Sequence, residues 1–289
     1  MIIDGKAIAD DLCSKLAEKI KSIPRPPCLT AIIVGDDPAS HIYVKRKEAM
    51  AKKIGIKSEI TRLPTSTTQE RLLSELYYLN NCDEVDGILV QLPLPSHISQ
   101  EAVIEAIDPS KDVDGFHPMN AGRLLAGKPV FVPCTTMGIL RLLEASGTPV
   151  EGAKVAMVGS GSVGKPTTLM LSRAGATVTM VNSKTRSLGG VLFNSEIVIA
   201  AVGVPNLVRR EHIRLNSTII DVGINRLPSG QIVGDVAFEE CLDIARAITP
   251  VPGGVGPMTI ACLLENTVQS TIRRTKHHGN PAGSCENHS

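Results

Sequence analysis

Short apolar runs alternate with amphipathic stretches along most of the chain. In the first part, apolar runs at 29–35, 56–63 and 87–91 predict three strands. Apolar positions three and four apart predict helices at 38–54 and at 98–107. They predict a further helix that begins after a capping box at Thr67–Glu70. Strands that alternate with helices in this way indicate three β-α units, and therefore a parallel sheet with helices packed on it.

Residues 108–135 break this rhythm because they are rich in proline and glycine, and we place a domain boundary near their end. A connecting helix is expected at 136–146. The pattern then predicts strands at 154–159, 176–182, 196–202, 218–222 and 247–249, an extended piece at 231–236, and helices at 162–174, 238–246 and 256–276. The tail 277–289, rich in His, Gly, Asn and Ser, is predicted to be disordered.

These elements predict a two-domain α/β protein. The first domain, residues 1–135, is expected to be a three-layer parallel α/β domain, and the second, residues 136–255, a Rossmann domain. The last helix, 256–276, is expected to return to the first domain.

Composition excludes several classes of function. Basic and acidic residues number 30 and 29, so the charge balance gives no reason to expect nucleic acid or an anionic membrane as a partner. No apolar run approaches the ~18 residues of a membrane span, and the N-terminus lacks a signal-peptide core. The seven cysteines form no C-x-x-C pair, and no His/Cys/carboxylate cluster has metal-ligand spacing. We therefore expect a cytoplasmic protein without a metal.

The six residues from Gly159 to Gly164 fit the pattern G-x-G-x-x-G, between a predicted strand and a predicted helix. In a dinucleotide-binding turn the first glycine allows the tight turn, the second lets the backbone approach the pyrophosphate, and the third lets the helix pack on the strand. The pattern predicts a nicotinamide dinucleotide at Gly159, Ser160, Gly161, Val163 and Gly164. A glycine-rich structural turn is the alternative.

The end of the next predicted strand indicates which dinucleotide binds. NAD enzymes usually place Asp or Glu there, about 20 residues beyond the glycines, to bind the ribose 2′-hydroxyl. This chain has Asn-Ser-Lys-Thr-Arg at 182–186, and hydroxyl and cationic groups bind a 2′-phosphate. The sequence predicts NADP rather than NAD, with Ser183 and Lys184 at the cofactor.

Tyr43 and Lys47 are four residues apart on a predicted helix and project from one face, which suits them to proton transfer. The spacing alone favours an ordinary lysine-rich helix surface, because most lysines lie on the surface. Short-chain dehydrogenases carry a Tyr-x-x-x-Lys pair after their glycine motif, whereas this pair precedes it by more than a hundred residues, which argues against that family.

Several segments together resemble the bifunctional methylenetetrahydrofolate dehydrogenase/methenyltetrahydrofolate cyclohydrolase family, over about residues 2–274. They are VGDDPASHIYVKRK at 34–47, DGILVQLPLP at 86–95, KDVDGF at 111–116, DVGIN at 221–225, VGDV at 233–236 and PVPGGVGPMT at 250–259. The glycine turn resembles the family least, since it is one residue shorter than the family's usual turn.

The resemblance implies roles for individual residues. It implies that Lys47 is the catalytic lysine, with Tyr43 as its partner, Gln91 as its hydrogen-bonding glutamine and Asp114 as the residue that binds the pterin. By the same resemblance Leu92, Pro252, Gly253 and Gly254 border the folate in a cleft between the domains, and Ile224 and Thr259 contact the nicotinamide end. Each has a structural alternative: a strand-end cap for Gln91, Asp-Gly turn geometry for Asp114, and a helix entry for the two glycines.

The resemblance implies two reactions of one-carbon metabolism, which also supplies purine biosynthesis. The first is NADP-dependent oxidation of 5,10-methylenetetrahydrofolate to 5,10-methenyltetrahydrofolate, and the second is hydrolysis of that product to 10-formyltetrahydrofolate. It also suggests a homodimer. The alternatives are a monofunctional dehydrogenase without cyclohydrolase activity, against which Lys47 and Gln91 argue, and a non-catalytic protein that keeps the dinucleotide fold.

Overall fold

The structure is a computed structural model that describes residues 1–278. The chain forms two compact units. One contains Met1–Ser14 and Asp114–Leu263, and the other contains Lys15–Val113 and the chain from Leu264 onward. Both are α/β units built on parallel sheets, which confirms the predicted fold class.

The unit that contains Lys15–Val113 is built on a three-stranded sheet in which both pairings are parallel, in the order β2-β1-β3. Leu72, Leu76 and Leu79 recur at helical spacing, are buried, and form one hydrophobic cluster with strand residues such as Ile32 and Ile88. The elements are α1 (Gly5–Ile20, which begins in the other unit), β1 (Cys28–Val34), α2 (Pro38–Lys53), β2 (Lys57–Leu63), α3 (Gln69–Asn81), β3 (Gly87–Val90) and α4 (Gln100–Ala106).

The predicted capping box at Thr67 was wrong by one residue. Thr68 is the N-cap of α3, and its side chain accepts a hydrogen bond from the backbone N–H of Arg71 at 3.2 Å. Thr67 lies in the preceding turn instead, where its N–H donates to the carbonyl of Pro64 at 2.9 Å. A local turn that uses the Thr67 amide thus moves the start of the helix by one residue.

The unit that contains Asp114–Leu263 is built on a five-stranded, fully parallel sheet in the order β10-β7-β6-β4-β5. The chain leaves β4 in one direction to β5 and returns on its other side to β6, so the strand order reverses between β4 and β6. Such a switch point is where doubly wound sheets bind ligands. The elements are α5 (Pro118–Leu125), α6 (Cys134–Ala145), β4 (Lys154–Val158), α7 (Gly164–Arg173), β5 (Thr177–Val181), α8 (Leu188–Phe193), β6 (Ile197–Ala200), a 3-10 turn (Arg210–His212), β7 (Thr218–Asp221), the antiparallel pair β8 (Asn225–Arg226) and β9 (Ile232–Val233), α9 (Phe238–Cys241) and β10 (Ala247–Ile248).

Two expectations for this unit were wrong. The stretch predicted to be loop contains α5, which starts with Pro118 in the first turn and is capped by His117, whose Nδ1 accepts from the N–H of Met119 at 3.0 Å. The helix predicted at 238–246 ends at Cys241, after which the chain continues as turns. The first helix was not predicted because its segment is rich in proline and glycine. The length of the second was overestimated because the apolar spacing continues beyond the last helical residue.

The last helix, α10 (Val255–His278), packs against the first domain, as predicted. Ser270 Oγ donates to the carbonyls of Asp86 at 2.7 Å and Ser110 at 3.0 Å, and Asn266 Nδ2 donates to the carbonyl of Val113 at 2.8 Å. Of the tail predicted to be disordered, His277 and His278 end this helix and residues 279–289 lie outside the described part of the chain. Among the helices of residues 1–278, none combines the length and apolarity that crossing a membrane requires.

Candidate active site

Lys47 and Gln91 meet where α2 passes the end of β3. The Lys47 ammonium donates a hydrogen bond to Gln91 Oε1 at 3.0 Å, although the two residues are 44 positions apart in sequence. Both side chains are half-buried. An amide oxygen carries only a partial charge, so it orients the ammonium without fixing its proton as strongly as a carboxylate would.

The amide of Gln91 is itself held in place. Its Nε2 donates to the carbonyl of Leu92 at 2.7 Å, which leaves Oε1 facing Lys47. The backbone N–H of Gln91 continues the pairing of β3 with β1 by donating to the carbonyl of Ile32 at 2.9 Å. The glutamine therefore does more than cap a strand end, because the strand and the Leu92 carbonyl together aim its oxygen at the lysine.

Tyr43 lies one turn before Lys47 on α2 and is half-buried. Burial raises the pKa of its phenol, and the opposing effect of nearby Arg46 is smaller. The hydroxyl therefore stays protonated near neutral pH and is available as a hydrogen-bond donor. The helix that carries both residues is capped by Asp37, whose Oδ2 accepts from the Ser40 N–H at 2.8 Å.

Asp114 falls in the other compact unit from Tyr43, Lys47 and Gln91. It is half-buried and precedes Gly115, which has a φ of +80° and no room for a side chain, since a Cβ would lie 2.9 Å from the backbone nitrogen of Pro133. The Asp-Gly turn geometry considered from sequence is thus present.

The glycine turn has the geometry of a dinucleotide-binding turn. Gly159 has a φ of +118°, and a Cβ there would overlap the carbonyl oxygen of Ala201, at the end of the neighbouring strand β6. A Cβ on Gly164 would overlap the carbonyl oxygen of Gly159. Gly161 is exposed, and within residues 1–278 no atom outside its own chain neighbours lies within 4 Å of the position a Cβ would take. The first and third glycines are therefore required by the fold, whereas nothing in the protein itself requires the second.

Ser160 and Val163 complete this turn and are half-buried, and α7 begins directly after Val163. No side chain caps this helix start, which suits a site where the helix amides receive an anion. The residues that follow β5 form a compact turn in which Asn182 Oδ1 accepts from the Lys184 N–H at 2.9 Å. The side chains of Ser183 and Lys184 are exposed beyond it.

The remaining predicted contacts also lie in the unit with the glycine turn. Ile224 follows β7 and is 47% exposed. Thr259 Oγ1 donates to the Val255 carbonyl at 3.2 Å, within the first turn of α10. Pro252 is exposed, Gly253 has a φ of +113°, and Gly254 is buried.

Gly254 has a structural reason to be glycine. A Cβ there would lie 2.7 Å from the Pro250 carbonyl oxygen and 2.7 Å from Thr249 Cβ, and Gly5 is packed directly on its backbone. The helix-entry alternative considered from sequence therefore gives Gly254 a structural role.

Two carboxylates without a predicted role, those of Asp221 and Asp235, form a buried pair at the end of β7. Asp221 accepts hydrogen bonds from the N–H groups of Gly223, Asp235 and Val236, at 2.9, 3.0 and 2.9 Å. Burial raises the pKa of Asp221 to about 6, and these three bonds oppose the rise. The signal in the sequence is an Asp that ends a fully apolar strand and a second Asp beside a glycine, since such acids are buried only when they are paired with donors.

Comparison with known proteins adds the family to this geometry. Residues 3–114 match the model of the tetrahydrofolate dehydrogenase/cyclohydrolase catalytic domain. Residues 133–275 match the model of the NAD(P)-binding domain of the same family. The first match contains the Lys47–Gln91 pair and the second contains the glycine turn.

Individual relatives match along nearly their whole length. A bifunctional protein FolD of Acidiphilium cryptum is 51% identical over 274 residues, which are 94% of this chain and 98% of that one. A bifunctional FolD methylenetetrahydrofolate dehydrogenase/cyclohydrolase from Campylobacter jejuni has a crystal structure that superposes with a TM-score of 0.92 at 46% identity, covering 95% of this chain and 99% of that one. The Trypanosoma brucei methylenetetrahydrofolate dehydrogenase-cyclohydrolase, solved with an NADP cofactor and an inhibitor, gives a TM-score of 0.92 at 37% identity, covering 96% and 98%. With both family models matched in order and relatives of this similarity, the chain belongs to the tetrahydrofolate dehydrogenase/cyclohydrolase family and is a bifunctional enzyme of that family.

Proposed function

We propose that this enzyme oxidises 5,10-methylenetetrahydrofolate with NADP and then hydrolyses the methenyl product to 10-formyltetrahydrofolate. The observation that carries the proposal is the hydrogen bond from Lys47 to Gln91 in a chain that also holds the glycine turn. A monofunctional dehydrogenase has no need of an oriented lysine, so the pair favours two activities over one.

The residues at the glycine turn suit a dinucleotide. Open space at Gly161 and the uncapped start of α7 leave room for a pyrophosphate and supply backbone donors for it. Bound there, NADP supplies the hydride acceptor of the first reaction. Ile224, exposed after β7, and Thr259, in the first turn of α10, are the residues we assign to the nicotinamide end.

NADP is proposed over NAD because of the turn after β5. Its exposed Ser183 and Lys184 offer a hydroxyl and a cation to a 2′-phosphate, and residues 182–186 contain no carboxylate that would repel one. The Trypanosoma brucei relative, which was solved with NADP, supports the same choice.

For the hydrolysis we assign proton transfer to Lys47. Its amine is oriented by Gln91 Oε1 at 3.0 Å, which holds a group that can carry a proton at a fixed position. Tyr43, kept protonated by its raised pKa, donates from the same helix face and borders the pterin. Water attacks the methenyl carbon and one proton is released. The bond from that carbon to N5 then breaks as the hydroxyl proton passes to N5, and we assign this transfer to Lys47.

The folate itself is assigned to Asp114 and to four further residues. A carboxylate accepts paired hydrogen bonds from the pterin amino group and a ring N–H, which fixes the orientation of the ring. Leu92 borders the ring beside Gln91, and Pro252, Gly253 and Gly254 present backbone to its flat face.

The test follows methenyltetrahydrofolate formation by its absorbance, with NADP and NAD in parallel, and in a second arm follows the loss of added methenyltetrahydrofolate without cofactor. Each cofactor is tested in its own cuvette, and we expect methenyltetrahydrofolate to form faster with NADP than with NAD. In the second arm we expect the added methenyltetrahydrofolate to be hydrolysed. Formation of methenyl product without any hydrolysis would establish the monofunctional alternative. Absence of both activities would refute the proposal, and a clear preference for NAD would refute the cofactor assignment.

The proposal also covers the cellular compartment and the oligomeric state. We assign the enzyme to the cytoplasm, which agrees with the six free cysteines of residues 1–278, and to one-carbon metabolism that supplies purine biosynthesis. We also propose a homodimer, because two-fold dimers are the commonest assembly of soluble oligomers. Light scattering of the purified protein measures the assembly directly.

A further inference from the structure

One buried carboxylate joins two segments at the carboxyl end of the five-stranded sheet. Asp235 is completely buried, and its Oδ2 accepts hydrogen bonds from the backbone N–H groups of Val202, at 2.7 Å, and Gly203, at 3.0 Å. Its Oδ1 accepts from Asn225 Nδ2 at 2.9 Å. The same side chain therefore holds the segment that follows β6 and a residue that follows β7.

The segment held by Asp235 lies against the glycine turn. A Cβ on Gly159 would overlap the carbonyl oxygen of Ala201, and the Ala201 N–H donates to the carbonyl of Val158 at 2.8 Å. Val202 and Gly203 follow directly. Because the backbones of residue 159 and residue 201 are already in contact, a shift of residues 202–203 is transmitted to the turn without an intervening side chain.

Asp235 is itself fixed by the first carboxylate of the pair. Asp221 accepts from the N–H groups of Asp235 and Val236, and a Cβ on Gly234 would overlap the Asp221 carboxylate. A Cβ on Gly223 would in the same way overlap the carboxylate of Asp235. The two aspartates and the two glycines thus form one close-packed unit in which the position of Asp235 has little freedom.

We propose that Asp235 is a positioning residue for the dinucleotide, which holds residues 201–203 as the wall opposite the glycine turn at the switch point between β4 and β6. The inference rests on the proposed function, since it takes NADP as the occupant of that turn. Asp235 acts through the backbone of Val202 and Gly203 and needs no contact with the cofactor. Its loss should therefore weaken NADP binding and leave the hydrolysis, which is assigned to Lys47, in place.

Two substitutions separate geometry from charge. Asp235→Ala removes all three hydrogen bonds of the carboxylate. Asp235→Asn can keep Oδ1 on Val202 and Gly203 and donate from Nδ2 to the amide oxygen of Asn225 after that amide turns over, so it replaces charged bonds by weaker neutral ones.

The matched control lies at the other end of the same sheet. Thr218 is buried at the start of β7, and its Oγ1 shares a hydrogen bond with Thr148 Oγ1 at 2.9 Å. Thr218→Val removes this buried bond and lowers stability without touching the carboxyl ends of the strands. It reports what a loss of stability alone does to cofactor binding.

The experiment measures the NADP Kd by calorimetry, the NADP KM, and the rate of methenyltetrahydrofolate hydrolysis, in the full-length enzyme and the three variants. We expect the Kd and KM for NADP to rise about tenfold or more in Asp235→Ala and about threefold or more in Asp235→Asn, with hydrolysis within about twofold of wild type. Thr218→Val should lower the urea midpoint and leave the Kd within about twofold.

Wild-type NADP binding in Asp235→Ala would overturn the proposal. If Asp235→Ala does not fold, the decision passes to Asp235→Asn, and wild-type NADP binding in that variant would then overturn it, because its neutral bonds are weaker than the charged ones. An equal loss of NADP binding in Thr218→Val would overturn it too, because the effect would then follow from stability alone. If the wild-type enzyme binds NADP but forms no methenyl product, the proposed reaction is wrong, while the comparison of Kd values still decides the role of Asp235.

Discussion

The glycine turn allows a test in which cofactor binding and folding separate. In Gly161→Ala the added methyl group meets no atom of the described residues within 4 Å, apart from its own chain neighbours, and the φ of Gly161 lies outside the left-handed region. The folded state therefore accepts alanine without strain, and the lower backbone entropy of the unfolded chain stabilises the variant by about 0.4–1 kcal/mol. In Gly164→Ala the methyl group would overlap the carbonyl oxygen of Gly159, so we expect a loss of about 3 kcal/mol or more.

The effect on NADP follows from what fills the space at Gly161. If a phosphate oxygen accepts a backbone hydrogen bond there, at about 2.9 Å, a methyl group moves it outward until the bond is lost. A hydrogen bond to a charged group contributes about 1.5–3 kcal/mol, which corresponds to a Kd about 10- to 150-fold higher. Gly161→Ala should therefore be at least as stable as wild type and yet bind NADP poorly.

Two measurements decide the matter: urea unfolding for stability and calorimetric titration with NADP for affinity. Hydrolysis of methenyltetrahydrofolate serves as the control, because it consumes no cofactor and should continue in Gly161→Ala. Wild-type affinity for NADP in this variant would refute the assignment of the turn to the pyrophosphate. A marked loss of stability in Gly161→Ala would refute the geometry on which the reasoning depends.

Four further predictions concern the other half of the site and its support. Lys47→Met should abolish hydrolysis of methenyltetrahydrofolate while calorimetry still shows NADP binding; unchanged hydrolysis would exclude Lys47 as the proton-transfer group. Gln91→Glu places a carboxylate beside the Lys47 ammonium, raises the pKa of that lysine and should move the pH–rate profile of hydrolysis to higher pH, so an unmoved profile would count against the pair. Asp114→Ala should raise the folate KM with little change in NADP Kd, and a loss confined to NADP would contradict the pterin role. Burial lowers the pKa of Lys111 to about 8, so between about pH 8 and pH 10.5 the unfolded chain binds more protons than the folded protein. In urea unfolding, the stability of wild type relative to Lys111→Met should therefore rise by about 2 kcal/mol from pH 8 to pH 10. Equal pH slopes for the two proteins would show that the lysine titrates normally.

Lys111 has a structural role that the sequence did not predict. The Lys111 ammonium is completely buried and donates to the carbonyls of Leu79, Asn80 and Cys82 at 2.7–2.8 Å, at the end of α3. It adds a donor to carbonyls at the end of the helix, where the regular bonds from four residues ahead are missing. Lys111, in the KDVDGF segment, therefore supports the fold. It lies three residues before Asp114, which is assigned to the pterin.

The sequence alone determined the fold class and the order of its elements. Short apolar strands alternating with amphipathic helices require parallel sheets covered by helices, because burial is encoded locally by the period of the pattern. The same local logic located the glycine turn and placed Tyr43 and Lys47 on one helix face. It missed α5, where the proline of the first turn and Gly122 resemble a loop signal, and it predicted no helix where α8 lies.

Only the tertiary structure decided which distant groups meet. Gln91 reaches Lys47 across 44 residues, and Asp235 reaches the Val202 amide across 33, because strand order brings the carboxyl ends of particular strands together. Periodicity fixes which face of a strand or helix is buried, but it does not specify the neighbour of each strand. The hydrogen bonds that orient Lys47 and fix the wall beside the glycine turn depend on that neighbour, and so they follow from the sheet and not from any local pattern.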